Sequence, residues 1–315
     1  MTELRERVPV RVNGVIPEAS DVVSITLAPA NGSHLPLWEP GSHIDVDLPN
    51  GLTRQYSLSS SPTRSAEWRI TVLSQPGGRG GSVNVHSELR AGSELSVSLP
   101  RNNFPLVRRE SYLFIAGGIG ITPFISMIEE VDKAGAEWRL LYGGRSRNSM
   151  AFLDVLQDYG DKVEVAPQDE SGLLDLKLAL GQTAPEAAIY ACGPAPLLDA
   201  CEEHCLSAER ELHIERFSAD LHTAQNSQPF EVIAERSGVR ALVAPGQSIV
   251  DVLEQHGVFV DTSCRSGTCG TCETAVLRGT PEHRDTLLTD AEREENETMM
   301  ICVGRALSPS ITLDV

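Results

Sequence analysis

No cysteine occurs before Cys192 in this chain of 315 residues, and the seven present make an odd number. That placement argues against a disulfide framework and for a reduced compartment with a thiolate site near the C-terminal end. Long apolar runs are lacking as well. The opening MTELRERVPVRV has no apolar core of signal-peptide length, and the longest apolar stretches, such as YLFIAGGIGITPFISMI, are broken by glycine and proline. Both absences read as a cytoplasmic protein without a membrane span. Basic residues are in deficit, with 26 Lys and Arg against 44 Asp and Glu and a formal charge of −18. Nucleic acid and anionic membrane are excluded as partners, because both need a basic face. The same acidity suits an electron-transfer protein that docks on a basic surface. No internal repeat is visible, and the length exceeds one compact domain.

Three segments follow one another. Residues 8 to about 100 read as short strands, among them Asp21–Leu27, His43–Leu48, Trp68–Leu73 and Glu94–Leu99, with no convincing helix. Each alternates apolar and polar residues between Gly, Pro, Asn or Ser, the pattern of a small antiparallel barrel. From Tyr112 the character changes. Apolar strands at Tyr112–Ala116, Trp138–Tyr142 and Ala187–Cys192 alternate with helices expected at Phe124–Ala134, Ala151–Tyr159 and Ala195–Ala208. Strand alternating with helix implies a parallel sheet covered on both faces. Ser218–Gln228 is polar, lacks periodicity and reads as a linker. Beyond Pro229, a strand pair, a helix near Ser248–His256 and a final strand at Ser310–Val315 make a third, compact domain.

The nonapeptide Cys264-Arg-Ser-Gly-Thr-Cys269-Gly-Thr-Cys272 packs three thiols together, and Cys302 follows after 29 residues. This C-x4-C-x2-C…C order is the plant-type ferredoxin spacing, which implies a 2Fe-2S cluster. Two irons bridged by two sulfides need four thiolates, and Gly267 and Gly270 let backbone amides turn toward the sulfurs. A structural zinc site normally uses two short C-x2-C pairs, and only one is present here. Cys201 and Cys205, at i and i+4 beside His204, read as ordinary helix packing.

Something must supply single electrons to such a cluster. Arg54-Gln-Tyr-Ser-Leu58 puts a cation, an aromatic ring and a hydroxyl on one extended stretch, suited to a phosphate and a flat ring. Gln75-Pro-Gly-Gly-Arg79-Gly-Gly-Ser82 offers amides and a cation to a phosphate, or forms a mobile hairpin. Gly117-Gly-Ile-Gly-Ile-Thr122 follows a strand and opens a helix, the arrangement that presents amides to an anion, yet it lacks the register of G-x-G-x-x-G. Cys192-Gly193-Pro194 likewise ends a strand before a helix, at the edge where parallel sheets bind ligands.

RxYSL, GGRGGS, PRNNFPL (Pro100 to Leu106), GGIGITP, YACGPAPLL and the terminal cysteine pattern, in that order, resemble the phthalate dioxygenase reductase family. That family lies within the ferredoxin–NADP reductase superfamily and includes the vanillate demethylase reductases. The resemblance implies a flavin-binding β-barrel over 1–104, an NAD(P)H-binding α/β domain over 105–220 and a linker over 221–228. A β-grasp ferredoxin domain would occupy 229–315. It implies that Arg54, Gln55, Tyr56, Ser57, Thr71 and Val72 line the flavin, with Arg79, Gly80, Gly81 and Ser82 on its phosphate. Gln55 departs from the threonine of the type member. Gly118, Thr122, Arg145, Cys192, Gly193 and Pro194 would border the nucleotide, and Phe217 would shield the flavin ring. Ser57, Cys192 and Phe217 would act in hydride transfer, and Cys264, Cys269, Cys272 and Cys302 would hold the cluster.

No insertion for an AMP half is present, so FMN is expected rather than FAD. Arg145 and Arg147 could read an adenosine 2′-phosphate, but the resemblance favours NADH. The expected protein is a monomeric reductase component passing electrons from NADH through FMN and the cluster to a terminal, Rieske-type aromatic oxygenase. A haem-thiolate monooxygenase as client, or a ferredoxin-type carrier or redox sensor without enzymatic activity, are the alternatives. The stretch Glu282–Glu297 carries seven carboxylates against two arginines. It reads as a solvated helix or as a docking face for a basic patch.

Overall fold

The alternating pattern of the first hundred residues becomes six antiparallel strands in a computed structural model, which describes residues 6–63, 66–217 and 228–315. They are β1 (Arg7–Ala19), β2 (Val22–Pro29), β3 (His43–Asp47), β4 (Thr53–Ser57), β5 (Trp68–Leu73) and β6 (Glu94–Ser98). Their order is β4-β3-β6-β1-β2-β5, and a bridge between Leu58 and Ile70 joins the two edges. The inward residues of each strand, including Val10, Ile25, Leu27, Ile44, Trp68, Ile70 and Val97, fill one core. The barrel is not free of helix, contrary to the sequence expectation. Helix α1 (Gly81–Glu88) begins inside the glycine-rich segment, because Gly80 takes the left-handed φ of 81° that turns the chain into it.

The parallel sheet is β7 (Ser111–Gly117), β8 (Glu137–Gly144), β9 (Val163–Pro167), β10 (Ala188–Cys192) and β11 (Leu212–Glu215), in the order β11-β10-β7-β8-β9. Every residue of β7 is buried. Tyr112, Phe114 and Ala116 face the core under α2 (Thr122–Lys133). Leu113 and Ile115 face the opposite core. This period of two with both faces apolar is the mark of a strand buried in a parallel sheet. Cys201 and Cys205, on the buried face of α6 (Ala195–Ser207), lie in the second core. The helix expected at Ala151–Tyr159 is only α3 (Leu153–Leu156) followed by a 3-10 stretch. Phe152 enters it at φ 64° and Gly160 breaks it at φ 57°, so no regular helix can run through. Two short helices follow, α4 (Gln168–Ser171) and α5 (Leu176–Gly181).

The chain divides into two compact units, Met1–Glu215 and Arg216–Val315. The first holds the barrel and the parallel sheet. In the second, β12 (Phe230–Ala234), β13 (Val239–Val243), β14 (Glu273–Arg278), β16 (Thr298–Met300) and β18 (Ser310–Leu313) form one sheet. Their order is β13-β12-β18-β14-β16, with β12 and β18 parallel. The strands β15 (Pro281–Glu282) and β17 (Arg305–Ala306) pair separately. Helix α7 (Ile249–Gln255), capped by Ser248, packs on this sheet, and α8 (Asp290–Glu295) is closed by a Thr289–Glu292 capping box. Arg305 is buried with its guanidinium 4.9 Å over Phe230, and it donates to the carbonyls of Gln247, Gln228 and Ala244. The linker expected at 218–228 lies, apart from Gln228, outside the described residues. None of the described helices is long and apolar enough to cross a membrane.

Candidate functional site

Three groups of side chains converge on chemistry, two in the first unit and one in the second. The first begins at α1. Its N-terminus has neither a side-chain cap nor an acidic residue in the first turn, so its amides stay open to an anion. Arg54, on β4, lies against it. The guanidinium donates to the carbonyls of Thr53 and Arg79, and a Cβ at Gly81 would come within 2.7 Å of Arg54. Glycine at 81 therefore preserves both the approach and the cation. The Ser82 hydroxyl accepts from the Gln75 amide at 3.0 Å, fixing the loop around exposed Arg79. Beside this cradle, Gln55 Nε2 and Asn84 Oδ1 are buried without a protein hydrogen-bond partner. An open helix end, a cation and orphaned polar atoms fit a phosphate-bearing flavin.

Not every expected flavin residue presents its side chain. Thr71 Oγ1 is held in a buried hydroxyl chain by Ser24 at 2.8 Å and Ser59 at 3.1 Å, and the Val72 carbonyl lies 3.0 Å from His86 Nε2. Burial pushes the Tyr56 phenol well above its ordinary range, with Arg54 opposing the shift. The ring is thus neutral, a flat surface rather than an acid.

The second group is at the carboxyl edge of the parallel sheet. After β7, Gly118 turns the chain at φ 54° and Thr122 Oγ1 donates to the Ile119 carbonyl at 3.1 Å, opening α2. After β10, Gly193 and Pro194 lead into α6. These two turns touch: a Cβ at Gly120 would lie 2.2 Å from the Cys192 carbonyl, and one at Gly193 would lie 3.0 Å from Gly117. Gly120→Ala must therefore wedge the turns apart, at a cost of about 1–3 kcal/mol. Its melting temperature is expected to fall, and its NADH affinity with it. Gly118→Ala, with open space around the new methyl, should show only the smaller strain of its positive φ.

Cys192 is wholly buried, and desolvation raises its thiol well above the ordinary range, with Glu215 adding to the shift. Glu215 ends β11 directly beside Cys192 in the sheet register. Its Oε2 accepts from the Ser57 hydroxyl at 3.4 Å, joining barrel and sheet in one place. Desolvation raises this half-buried carboxyl to about 8, with the Ser57 bond opposing weakly. Glu215 thus neighbours both Ser57 and Cys192, and it escaped the sequence reading. The available signal was an acidic residue closing the short Leu212–Ile214 strand. Phe217, two residues further on, is 41% exposed. Arg145 is exposed beyond β8, and Arg147 makes a forked pair with Glu170 of α4, at 3.4 and 3.0 Å.

The third group is the cysteine loop. All four of Cys264, Cys269, Cys272 and Cys302 are buried free thiols. Arg265, Gly267 and Gly270 take positive φ values of 49°, 70° and 76°, curling the loop around its own sulfurs. The amides of Ser266 and Thr268 donate to Cys264 Sγ at 3.3 and 3.4 Å, and the Cys264 amide donates to Cys269 Sγ at 3.5 Å. Cys264 is within hydrogen-bonding reach of both Cys269 and Cys302, and Cys272 is within reach of Cys302. These neighbours hold the Cys264 thiol far below its ordinary range, Cys269 contributing most. No set of three or more His, Cys, Asp or Glu among the described residues closes on the point of a single metal ion. Four thiols linked in pairs, with amides aimed at sulfur, fit a two-iron cluster by the chemistry of the donors.

Fold and site together define an oxidoreductase in which a nicotinamide-nucleotide domain serves an iron–sulfur domain. Residues 114–203 match the oxidoreductase NAD-binding domain, and residues 232–307 match the 2Fe-2S iron-sulfur cluster binding domain. The chain is 41% identical to phenoxybenzoate dioxygenase subunit beta of Ectopseudomonas oleovorans, over 98% of this chain and 97% of that protein. Among solved structures it is similar to phthalate dioxygenase reductase, described as a modular structure for electron transfer from pyridine nucleotides to 2Fe-2S. That match has 34% identity, TM-score 0.79 and 98% coverage of both chains. It also matches an intact type IV self-sufficient cytochrome P450 monooxygenase, with 39% identity and TM-score 0.81 over 98% of this chain and 41% of the other. The chain belongs to the phthalate dioxygenase reductase family.

Proposed function

We propose that this protein is the reductase component of a multicomponent oxygenase, taking electrons from NADH through FMN and a 2Fe-2S cluster to a terminal oxygenase of the Rieske type acting on an aromatic compound. The observation that carries this reading is that one chain holds both an open phosphate cradle beside Ser57 and a nest of four thiols. Residues 1–104 would form the flavin domain, 105–220 the nucleotide domain, 221–228 the linker and 229–315 the ferredoxin domain. When bound, the flavin accepts a hydride as an electron pair and gives electrons up singly. The chain's own residues supply binding and order. Arg54, Arg79 and the α1 amides over Gly80–Ser82 hold the phosphate, and Gln55, Tyr56, Thr71 and Val72 line the ring. Gly118, Thr122, Arg145, Gly193 and Pro194 border the nucleotide. Ser57 and Cys192 flank the place of transfer, Glu215 holds a proton there, and Phe217 covers the ring until the nucleotide enters. A single polypeptide keeps the ferredoxin domain at high effective concentration beside its electron source.

The Arg147–Glu170 pair supports NADH, since a carboxylate already engages one guanidinium that a 2′-phosphate would use. Glu170→Gln is expected to raise kcat/KM for NADPH relative to NADH about tenfold. An unchanged ratio would remove Arg147 from nucleotide selection. The function itself is tested by NADH-dependent reduction of purified candidate oxygenases, together with bleaching of the visible flavin spectrum by NADH. A protein showing cluster colour alone would be a carrier rather than a reductase. A second client, a haem-thiolate monooxygenase, is favoured by the 39% identity to the self-sufficient P450 protein. The same assay with a P450 acceptor separates the two.

A further inference from the structure

Phe259 stands out in the second unit because its ring is 81% exposed while the valines on either side are packed against the core. Val258 and Val260 are half-buried while residue 259 between them is exposed. It is also held firmly. The Val258 amide donates to the Leu253 carbonyl at the end of α7, at 2.9 Å, and the cluster loop begins six residues later at Cys264. Arg265 then bridges back to α7 through Asp251 at 3.1 Å and through Glu254. An exposed phenyl ring on a fixed backbone contributes nothing to the fold's own core, and large rigid aromatics are what interfaces use as anchors.

The surroundings state what kind of partner fits. Asp261 is exposed two residues from Phe259. Against the loop itself, the Thr286 amide donates to the Gly267 carbonyl at 3.0 Å, and Leu287 lies where a side chain at Gly270 would meet it. That contact fixes the start of α8, whose Asp290, Glu292, Glu294 and Glu295 are exposed, with Glu297 just beyond. Arg293, the cation within that helix, turns inward to the Asp285 carbonyl at 2.9 Å. Residues 228–315 carry fourteen Asp and Glu against seven Arg and no Lys. An apolar anchor on a unit of net acidic charge matches an apolar hollow rimmed by lysine and arginine. A second copy of this chain, with the same acidic field, is repelled.

We infer that Phe259 is the apolar anchor with which a basic, electron-accepting protein docks at the cluster loop. This rests on the reductase reading above and adds the residue that fixes the partner's position. The probe is cytochrome c, a lysine-rimmed haem protein, with ferricyanide as a small acceptor that needs no docking surface. In the holoprotein, Phe259→Ala is expected to weaken calorimetric binding of oxidised cytochrome c, and to raise its KM, about tenfold. NADH bleaching of flavin and cluster and the rate with ferricyanide stay at wild-type values, and Phe259→Trp restores binding. Added salt weakens the wild type and the variant alike, because the acidic field is common to both. Equal cytochrome c affinity in wild type and Phe259→Ala overturns the inference. So does slower cluster bleaching by NADH in the variant, which would place Phe259 on the internal path. A wild type that NADH fails to bleach would defeat the reductase reading instead, and the calorimetry would still read the anchor.

Discussion

Cys302→Ser is expected to abolish electron delivery to a protein acceptor while flavin reduction by NADH continues at the wild-type rate. The substitution keeps the size of the side chain and removes one of four thiolates, and a serine hydroxyl does not ionise where a thiol does. Each of the four thiols has another beside it: Cys264 reaches Cys269 and Cys302, and Cys272 reaches Cys302. Cys192, Cys201 and Cys205 belong to the other unit. Acceptor reduction should therefore fall roughly a hundredfold or more, as expected when metal retention is lost. The second unit should also melt earlier, since Cys272 and Cys302 are part of its core. Iron content and the visible cluster spectrum check the loss, and rapid mixing with NADH checks the flavin. Cys205→Ser is the control, altering a buried thiol of the first unit without touching iron content. Full iron content in Cys302→Ser would remove Cys302 from the ligand set, and loss of flavin reduction would contradict independent units.

What could be read from the sequence depended on whether the relevant spacing was local. Trp68–Leu73 is a strand in both sequence and structure, because period-two alternation bounded by turns is a local signal. The spacing from Cys264 to Cys272 is equally local, and its amide-lined loop takes the positive φ values that Gly267 and Gly270 permit. Helix α1 went unread because its first turn, Gly81-Ser-Val-Asn, has the composition of a loop, and only the left-handed Gly80 starts it. The stretch 151–159 failed in the opposite way, since its helical pattern cannot reveal that Phe152 and Gly160 both leave the helical region. Strand β1 contains Pro9, Gly14 and Pro17, which would normally demote a strand. Register shifts after Val12 and Pro17 accommodate Gly14 and Pro17. Glu215 was the costliest omission. Its importance comes from a parallel register that sets it beside Cys192 and from a barrel hydroxyl 158 positions away, neither of which any local window contains.

Glu215 should make both stability and hydride transfer depend on pH, and Glu215→Gln should remove that dependence. Burial dominates its shift from 4.5 to about 8, and the single hydrogen bond from Ser57, at 3.4 Å, is too long to offset it. The folded protein therefore keeps a proton between those values that the unfolded chain has released. Where the native state binds more protons, stability falls as pH rises. The neutral carboxyl's contribution is complete below 4.5, declines up to about 8 and is constant above it. Melting curves of wild type and Glu215→Gln should accordingly diverge across that window, with the variant gaining on the wild type by a few kcal/mol at the alkaline end, on the order set by linkage. In the reaction, a neutral Glu215 can donate its proton to a hydrogen bond beside Ser57 and Cys192. Its ionisation puts a charge beside a buried thiol and takes that donor away. Flavin reduction by NADH should thus decline above about pH 8 in the wild type. Glutamine, which has a permanent donor in its amide, should give a flat profile, and alanine a rate roughly a hundredfold lower at every pH. Rapid-mixing rates over that range decide the matter. An alkaline decline that survives in Glu215→Gln would assign the titration to another group and leave Glu215 a purely structural residue.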